Sequence, residues 1–330
     1  MINEVKKFIS PVYLCGGAVR DQLLGTEPKD FDFTTPLTPE EIEKRIKLSG
    51  RKAYLIGKRF GTLGCKINGY YVEISTFRSE IYETRNRKPN VTFIKDIKED
   101  LSRRDFTINA LARDENNNLI DYFNGSEDLI YKIIRSVGKP SERFQEDPLR
   151  LLRSCRFAAQ LGFNIEENTL DMAKQLSYKI LEVSKERWMI ELDKLLMSNY
   201  VKEGLKYLQK TKLLNYILPE LSLQVGFDQQ NPHHSKLLWD HTIEVVSNTP
   251  PDISLRWSSL LHDIAKPFVK SQKTENHYNY HKHDLLGKEF VLKYSLYLKW
   301  SNERRDTVLK LVETHMNENS PLKEADQKGK

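Results

Sequence analysis

The sequence predicts an α+β protein, in which an N-terminal part of mixed strands and helices precedes an all-α remainder. Over residues 1 to about 130, short apolar runs alternate with helical patterns. Beyond DPLRLLRSCRFAAQLGF (147–163), apolar residues recur at helical spacing and no strand pattern interrupts them. The 330 residues, 39% of them hydrophobic, are enough for two or three domains with sizeable cores.

The first elements alternate between strand and helix. VYLC (12–15) predicts a short apolar strand, Gly16 and Gly17 a turn, and AVRDQLL (18–24) a helix. FDFTT (31–35) predicts a second strand, because aromatic and β-branched residues favour strands. These elements bring a glycine turn and a pair of aspartates close together in the chain.

The next elements carry stronger local signals. A helix over 38–50 is predicted by the capping box at its start, where Thr-Pro-Glu-Glu precedes the first apolar residue. Residues 51–57 have the pattern of a strand. Residues 62–78 predict a hairpin, because the Asn68-Gly69 pair at its centre is the strongest short-range hairpin signal.

Composition and charge limit the classes of function. No window approaches the roughly 18 apolar residues of a membrane span, and the N-terminal segment lacks an apolar signal core, which predicts a cytoplasmic protein without a membrane partner. Cys15, Cys65 and Cys155 stand far apart among apolar neighbours, as core residues do. The net charge of +6 permits a polyanionic partner, and arginine and lysine concentrate in RNRKP (85–89) and SRRDF (102–106).

The aspartates of the second strand indicate a metal site. Residues two apart in a strand point to the same face, so Asp30 and Asp32 project together while Phe31 points to the opposite layer. Glu73 in the hairpin is a candidate third carboxylate. Like charges this close repel one another unless a divalent cation lies between them, and oxygen ligands suit Mg²⁺ shared with substrate phosphates. An Asp-x-Asp pair in a turn or cap is the alternative.

The glycine turn ahead of this strand indicates phosphate binding. Gly16 and Gly17 precede a helix whose first N–H groups carry partial positive charge, and glycine lets an anion approach the backbone closely. The fingerprint G-x-G-x-x-G is absent, which disfavours a Rossmann fold. Together with the two aspartates, the turn suits a triphosphate that is attacked at its α-phosphate.

Ordered motifs over residues 14–196 carry a family resemblance. They are GGAVRD, KDFDF, RRDFTINALA, DYFNGSEDL, EDPLRLLRSCRFAAQLGF and ERWMIELDKLL. In this order and spacing the chain resembles the class II tRNA nucleotidyltransferases and bacterial poly(A) polymerases. The resemblance implies addition of C and A residues, from CTP and ATP, to the 3′ end of tRNA without a nucleic-acid template.

The resemblance also implies a domain order. Residues 1–135 would form the catalytic nucleotidyltransferase head, 136–225 a helical neck and body that binds the base and the RNA, and 226–320 an HD-type helical domain. The polar residues 321–330 predict a disordered tail. No obligate protein partner is indicated.

Individual roles follow from the same resemblance. Asp30 and Asp32 would be the catalytic residues that hold Mg²⁺, with Mn²⁺ as an alternative ion. The implied nucleotide-binding residues are Gly16, Gly17, Arg20, Asp21, Arg103, Arg104, Asp105, Asn109, Asp147, Arg150, Arg153 and Arg156. The implied hinge residues are Asp121, Gly125 and Asp128, and the implied flexible-loop residues are Arg85 and Arg87.

The start of the EDPLRLLR helix offers a way to choose bases. Asp147 near the cap, Pro148 at the first position and Arg150 one turn later predict an acceptor beside a donor on one helix face. Cytosine and adenine both present an amine donor beside a ring-nitrogen acceptor, whereas uracil and guanine would leave these groups unpaired at about 1–3 kcal/mol each. A simple i, i+3 salt bridge is the alternative.

Two activities within the family stay open. The segment 80–93 occupies the position of the family's flexible loop, which argues against addition of C alone. LIGKRFGTL (55–63) partly resembles a signature of poly(A) polymerases. Full CCA addition and A-only addition are therefore both compatible with the sequence.

A second constellation, in the C-terminal half, resembles an HD domain, the metal-dependent phosphohydrolase fold. His241, His262 and Asp263 resemble its ligands, and His283 and His315 are candidates for a second position. Imidazole and carboxylate suit Mn²⁺, Ni²⁺ or Fe²⁺.

The usual final aspartate of the HD domain has no clear match in the sequence. Asp306 and Asp326 are its two candidates. A purely structural HD domain and a working phosphohydrolase remain alternatives, the latter a rival function for the whole chain.

Overall fold

A computed structural model describes residues 1–55, 57–81, 90–230, 236–274 and 277–329. The chain forms two compact units, Met1–Asp147 and Pro148–Lys330. Within the described ranges, no helix combines the length and the apolar character needed to cross a bilayer.

The first unit mixes helices and strands. Its helices are α1 (Ile2–Val5), α2 (Gly17–Leu23), α3 (Pro39–Leu48), α4 (Ile97–Ser102), α5 (Gly125–Ile130) and α6 (Pro140–Glu146). Its strands are β1 (Tyr13–Cys15), β2 (Phe31–Thr35), β3 (Thr62–Ile67), β4 (Tyr70–Thr76), β5 (Arg78–Ile81), β6 (Asn90–Phe93), β7 (Leu111–Arg113), β8 (Leu119–Asp121) and β9 (Ile133–Ile134).

The first unit contains a six-stranded mixed sheet with the strand order β3-β4-β2-β1-β7-β8. Strands β2 and β4 run parallel, whereas the other neighbouring pairs are antiparallel. The predicted hairpin is confirmed, because Asn68 and Gly69 join β3 to β4 with φ of 50° and 86°. Strand β5 pairs with β6 in a separate two-stranded sheet.

Local sequence signals explain the start of helix α3 and the burial of its apolar face. Thr38 accepts from the backbone N–H of Glu41, whose side chain accepts from the backbone N–H of Thr38, so the predicted capping box is present. Ile42 and Ile46 are buried on the inner face of α3. The three cysteines are buried free thiols, as expected.

One predicted strand of this unit is wrong. Among the described residues of 51–57, only Tyr54 pairs in the manner of a strand, through two backbone hydrogen bonds with Gly64 of 2.8 and 2.9 Å. A strand needs a partner along its length, and the pairing here is limited to one bridge. The 3-10 turn Lys58–Phe60 follows directly.

The second unit is mainly helical. Its helices are α7 (Leu149–Leu161), α8 (Glu167–Gln175), α9 (Lys185–Leu196), α10 (Val201–Lys210), α11 (Leu213–Ile217), α12 (Pro219–Ser222), α13 (Leu238–Asn248), α14 (Ile253–Leu261), α15 (Lys266–Val269), α16 (His283–Tyr297), α17 (Asn302–Glu313) and α18 (Lys323–Gly329). The short strands are β10 (Asn164–Ile165), β11 (Ser271–Thr274) and β12 (His277–Asn279). Trp188, Trp239 and Trp257 are fully buried in its core. The α+β fold class is confirmed.

Two predictions for this unit are wrong. The remainder is not all-α, because β11 and β12 form an antiparallel pair that its polar sequence concealed. Residues 323–329 are not a disordered tail but form α18, which packs against α13. Leu322, just before this helix, and Ala325, within it, are buried, and two apolar residues were too few to give a periodic signal.

The start of α7 also differs from the prediction. Pro148 is the N-cap rather than the first helical residue, and α7 begins at Leu149. Asp147 is not part of α7. It is the C-cap of α6 and has an extended backbone. Asp147 and Arg150 therefore do not share one helix face, because extended φ and ψ at Asp147 interrupt the helical spacing.

Candidate active site

Carboxylates on neighbouring strands form the centre of the candidate site. Asp30 immediately precedes β2 and Asp32 lies within it, and both are exposed while Phe31 and Phe33 are buried. Glu73 lies directly opposite Asp32 in the parallel register of β2 and β4. The burial alternation and the register place all three carboxylates on the open face of the sheet.

The electrostatics of these carboxylates favour a cation. Desolvation raises the pKa of Asp32, Arg104 counteracts this effect, and Asp30 raises the pKa further. The pKa of Glu73 is raised by desolvation and by the charges of Asp32 and Asp30. Mutual repulsion of this kind is relieved when a divalent cation is bound, and Mg²⁺ needs only one or two carboxylates because it shares substrate phosphates and water.

Two guanidinium groups flank the glycine turn. Gly16 has φ of +71°, and a Cβ at this position would lie 2.8 Å from Arg104 Nη1. A Cβ on Gly17 would lie 3.5 Å from Arg20 Nη2. Arg104 is anchored by its Nη2, which donates to the sulfur of Cys15 at 2.9 Å. Since α2 has only seven residues, these side-chain cations, rather than the helix, supply most of the positive charge at the turn.

Hydrogen bonds join the glycine turn to the RRDFTINALA segment. Arg20 donates to Asp21 through Nε and Nη2 at 2.9 and 2.7 Å, and to Asn109 Oδ1 at 2.7 Å. Asn109 Nδ2 donates to Asp105 Oδ1 at 3.0 Å. The structure thus brings four of the predicted nucleotide-binding residues into one network.

Asp100 is a residue that the motif analysis missed. It is completely buried, and its Oδ1 accepts from Arg103 Nε and Nη2 at 3.1 and 2.8 Å and from the backbone N–H of Arg78. A carboxylate one helical turn before an arginine was the available signal. Asp100 orients Arg103.

Two of the predicted hinge residues, Gly125 and Asp128, contact the 3-10 turn Thr107–Asn109, and the third, Asp121, bonds to the start of α5. Asp121 accepts from the backbone N–H groups of Gly125 and Ser126 at 2.9 Å each, and these bonds lower its pKa despite the opposing effect of burial. Asp128 accepts from Thr107 Oγ1 at 2.6 Å. A Cβ on Gly125 would lie 2.2 Å from the carbonyl oxygen of Thr107, so only glycine fits there.

In the second unit, a buried glutamate holds the arginines of α7. Arg156 Nε lies 2.7 Å from Glu191 Oε2, and Arg153 Nη1 lies 3.6 Å from Glu191 Oε1. Glu191 is buried on α9 within the ERWMIELDKLL motif, and sequence analysis did not single it out. A charged residue at a core-facing helical position was the available signal.

The loop arginines Arg85 and Arg87 lie outside the described residues.

The histidine cluster of the second unit is assembled as the HD resemblance predicts. Among the described residues, two groups hold three or more ligand atoms within 4.8 Å of one another. They are His241, His262 and Asp263, and Asp263, His283 and His315. Asp263 Oδ2 lies 3.2 Å from His262 Nε2 and its Oδ1 lies 3.3 Å from His283 Nε2, so one carboxylate connects both groups.

The ring orientations in this cluster suit metal binding. The Nδ1 atoms of His262, His283 and His315 face backbone carbonyls three residues earlier, at 2.6–2.8 Å. A carbonyl can only accept, so each Nδ1 carries the proton and each Nε2 is directed into the cluster as a potential ligand.

The structure distinguishes the two candidates for the final aspartate. Asp326 Oδ1 on α18 lies 3.1 Å from His241 Nε2 and 3.7 Å from His262 Nε2. Asp306 instead pairs with Arg305 on the surface of α17. Burial would lower the pKa of His262, but the nearby carboxylates of Asp263 and Asp326 raise it to about 10.

Lys266 is a second residue that sequence analysis missed. Its Nζ lies 2.7 Å from Asp263 Oδ2 and 3.0 Å from Gln229 Oε1, and the side chain is buried. A lysine one turn after a His-Asp pair was the available signal. Burial by itself would raise the pKa of Asp263. The charges of His262 and Lys266 instead hold this pKa well below its usual range.

Three family models match the chain. Residues 12–135 match the poly A polymerase head domain, residues 162–224 a probable RNA and SrmB-binding site of polymerase A, and residues 238–328 the HD domain.

Curated relatives carry one name. The chain is 37% identical over 289 residues to the CCA-adding enzyme of Staphylococcus epidermidis, covering 83% of this chain and 70% of that protein. It is 38% identical over 281 residues to the CCA-adding enzyme of Streptococcus mutans, covering 84% and 67%. The chain matches about half of the length of a Staphylococcus aureus relative that is 42% identical over 206 residues.

Solved structures with the same fold have bound ligands. The Bacillus stearothermophilus CCA-adding enzyme in complex with CTP matches with a TM-score of 0.65 and 26% identity, covering 98% of this chain and 80% of that one. A tRNA nucleotidyltransferase complexed with a primer tRNA and an incoming ATP analog matches with a TM-score of 0.56 and 26% identity, covering 96% and 98%.

Proposed function

Because the chain belongs to the CCA-adding enzymes, a family of tRNA nucleotidyltransferases, we propose that it adds C and A residues, from CTP and ATP, to the 3′ end of tRNA. The family resemblance of the ordered motifs is confirmed by these relatives. The observation that carries the proposal is the register of the sheet, in which Asp32 lies opposite Glu73 on β4 and opposite Cys15 on β1, the residue that precedes the glycine turn.

In the proposed reaction, Asp30 and Asp32 hold the metal, with Glu73 beside them. A bound Mg²⁺, or Mn²⁺, would lower the charge on the triphosphate and help to ionise the RNA 3′-hydroxyl. The bond from O3′ to the α-phosphorus forms as the bond from the α-phosphorus to the oxygen bridging to the β-phosphorus breaks, pyrophosphate leaves, and the hydroxyl proton passes to water. The carboxylates orient these groups from the rigid centre of the sheet.

The cations around the glycine turn receive the triphosphate in this proposal. Arg20 lies next to Gly17 and Arg104 next to Gly16, so phosphate oxygens at the turn would meet charge-assisted donors. Asp105, held by Asn109, receives the ribose. Gly125 and Asp128 contact the turn that carries Asn109, and Asp121 fixes the start of α5; these three residues are the proposed hinge residues.

Base choice is proposed for Asp147 and Arg150, which do not lie on one helix face, so the acceptor and the donor would approach the base from an extended residue and from the first turn of α7. The argument is that an acceptor beside a donor pairs with the amine and ring nitrogen of cytosine or adenine, whereas uracil and guanine leave buried groups unpaired. Arg150 is buried at the start of α7, on the helix that also carries Arg153 and Arg156. Those two arginines, held by Glu191, complete the nucleotide-binding set.

Stepwise incorporation tests the proposal. The protein is incubated with tRNA that lacks its 3′-terminal CCA and with CTP, ATP, UTP or GTP singly and in combination. We expect two C residues with CTP alone, and one further A when ATP is added. Incorporation of ATP alone, without CTP, would favour A-only addition, the main alternative.

A matched variant tests the catalytic carboxylates. Asp32→Ala should abolish incorporation of both nucleotides, because the metal that orients the attacking and leaving oxygens loses a ligand. Asp306→Ala, which changes an exposed carboxylate on α17, is the control and should retain full activity. Substantial transfer by Asp32→Ala would show that the carboxylates were assigned wrongly.

A phosphohydrolase is the second candidate function, favoured by the buried cluster around Asp263. Its imidazole and carboxylate ligands suit Mn²⁺, Ni²⁺ or Fe²⁺, and a metal there would activate a water molecule for attack on a phosphoester. The expected result is release of phosphate from phosphomonoesters, or opening of 2′,3′-cyclic phosphates, with Ni²⁺ or Mn²⁺, and loss of both in His262→Ala. Absence of either reaction with each metal would favour a structural role for the cluster.

A further inference from the structure

A pair of tyrosines lies on the open face of the sheet, beside the carboxylates of the candidate site. On β4, Tyr71 and Glu73 are exposed while Val72 and Ile74 are buried, so Tyr71 shares the open face with Glu73. The ring centroids of Tyr71 and Tyr54 lie 5.8 Å apart, with an angle of 59° between the ring planes. Because Tyr71 is 45% exposed, the pair presents aromatic surface next to the proposed metal site.

The strand register holds this pair in place. Gly64 on β3 pairs with Glu73 on one side and with Tyr54 on the other. A Cβ on Gly64 would lie 2.0 Å from the hydroxyl oxygen of Tyr71, so glycine leaves the space over β3 that the phenol occupies. Desolvation and the charge of Glu73 raise the pKa of Tyr71, which keeps the phenol neutral near pH 7.

Two lysines border the tyrosine pair. Lys66 lies directly opposite Tyr71 in the antiparallel register of β3 and β4, and its side chain is exposed. Lys52 Nζ lies 5.4 Å from the centroid of the Tyr54 ring. Positive charge beside exposed aromatic rings is the combination that binds single-stranded nucleic acid, because the rings stack on bases while the charges meet phosphates.

The tyrosines and the glycine turn lie on opposite sides of the carboxylates. In the sheet order β3-β4-β2-β1, the tyrosine pair lies on the β3 and β4 side of Asp32, whereas the glycine turn follows β1 on the other side. In the proposed reaction, the attacking and leaving oxygens are in line through the α-phosphorus. With the triphosphate at the glycine turn, the RNA 3′-hydroxyl therefore arrives from the side of Tyr71.

We propose that Tyr71 and Tyr54 stack against the base at the 3′ end of the RNA, while Lys66 and Lys52 contact its phosphates. This inference rests on the proposed function and adds a binding subsite for the RNA to it. The RNA end changes during the reaction, from the unextended tRNA to one C and then two. Stacking accepts each of these ends, because every base has a π-face, whereas hydrogen-bond readout of one base would reject the others.

Three substitutions on β4 test the stacking. Tyr71→Ala removes the exposed ring, and Tyr71→Phe keeps it. Tyr70→Ala is the matched control, because Tyr70 is 40% exposed and its ring contacts the buried Phe31 edge-on, on the other face of the sheet. Each protein is titrated, without nucleotide, with tRNA that lacks CCA and whose last nucleotide carries either its base or an abasic site.

The expected results follow from the loss of one stacked base. Tyr71→Ala should raise the Kd for the intact tRNA on the order of tenfold, and Tyr71→Phe and Tyr70→Ala should leave it unchanged. The abasic end should cost wild type a similar factor but cost Tyr71→Ala little, because both changes remove the same contact. The same loss in Tyr71→Ala is expected for tRNA already extended by one C or by two.

Salt dependence tests the phosphate contacts separately. Lys66→Ala should reduce the magnitude of the slope of log Kd against log salt concentration by about 0.7, the value for one phosphate contact on a single strand. Should Tyr71→Ala not fold, as judged by its melting temperature, Lys66→Ala decides, since an unchanged slope would overturn the inference.

The outcomes separate this inference from the proposed function. If wild type incorporates neither CTP nor ATP, the proposed function itself fails. If wild type is active but Tyr71→Ala binds the intact tRNA as tightly as wild type does, only the inference fails. Additive losses from Tyr71→Ala and the abasic end would also overturn it, as would a raised KM for CTP with an unchanged Kd for tRNA, which would place the ring beside the incoming nucleotide.

Discussion

Replacing Asp326 with alanine is expected to weaken divalent-cation binding at the histidine cluster, because this carboxylate on α18 lies 3.1 Å from His241 Nε2 and 3.7 Å from His262 Nε2. Loss of an outer-shell partner commonly costs 10–100-fold in metal affinity, so loss of a ligand should cost on the order of 100-fold. Asp306→Ala is the matched control, since Asp306 pairs with Arg305 on the surface.

The affinity loss translates into a thermal shift. A cation at 100 times its wild-type Kd stabilises the protein by about 2.7 kcal/mol. The same concentration equals the Kd of a variant weakened 100-fold and stabilises it by only about 0.4 kcal/mol. The difference of about 2.3 kcal/mol corresponds to roughly 5–9 °C, at about 2–4 °C per kcal/mol for a unit of this size.

The assay compares each protein with itself. Melting temperatures are recorded with and without Mn²⁺ after treatment with a chelator, and the metal-induced shift is taken for wild type, Asp326→Ala and Asp306→Ala. Calorimetric titration with Mn²⁺ supplies the Kd independently. An equal Kd in wild type and Asp326→Ala, or an equal loss in Asp306→Ala, would refute the assignment of Asp326 as a ligand.

Three further predictions concern the nucleotide site and its support. Asp147→Ala should let UTP gain relative to CTP, and an unchanged preference for C and A, measured with all four nucleotides, would discard the base-choice argument. Gly125→Ala should cost about 1–3 kcal/mol in urea denaturation, because its Cβ meets the backbone of Thr107, whereas Gly64→Ala, which meets the end of a tyrosine side chain, should cost less. Asp121→Ala should cost about 0.5–2 kcal/mol near pH 7. Because the folded-state pKa of Asp121 is lowered, this difference should shrink as the pH falls below about 4, and a constant difference would contradict a stabilising role for its bonds to the N–H groups of Gly125 and Ser126.

The sequence by itself determined the elements whose signals are local. Asn68-Gly69 specified the turn between β3 and β4, because both residues accept positive φ. The capping box specified the start of α3, because its hydrogen bonds span only three residues. The spacing of Asp30, just before β2, and Asp32, within it, placed both carboxylates on one side of the extended chain, since side chains alternate along a strand.

The family motifs identified functional residues beyond the range of local signals, but they did not describe the side-chain contacts between those residues. They pointed to Asn109 and Arg153 as nucleotide-binding residues without showing that Asn109 joins Arg20 to Asp105, or that Glu191 holds Arg153. The contact between Arg20 and Asn109 spans 89 residues of sequence. No local pattern encodes such a pairing, because it depends on how the elements pack.

Only the tertiary structure decided which of the two candidate aspartates lies at the histidine cluster. Asp306 and Asp326 are equivalent in sequence, and the polar surroundings of Asp326 predicted a disordered tail. The structure shows a short helix instead, docked through Leu322 and Ala325 so that Asp326 reaches His241. The physical reason is that two buried side chains suffice to dock a seven-residue helix on an existing core, whereas a periodic sequence signal needs several turns.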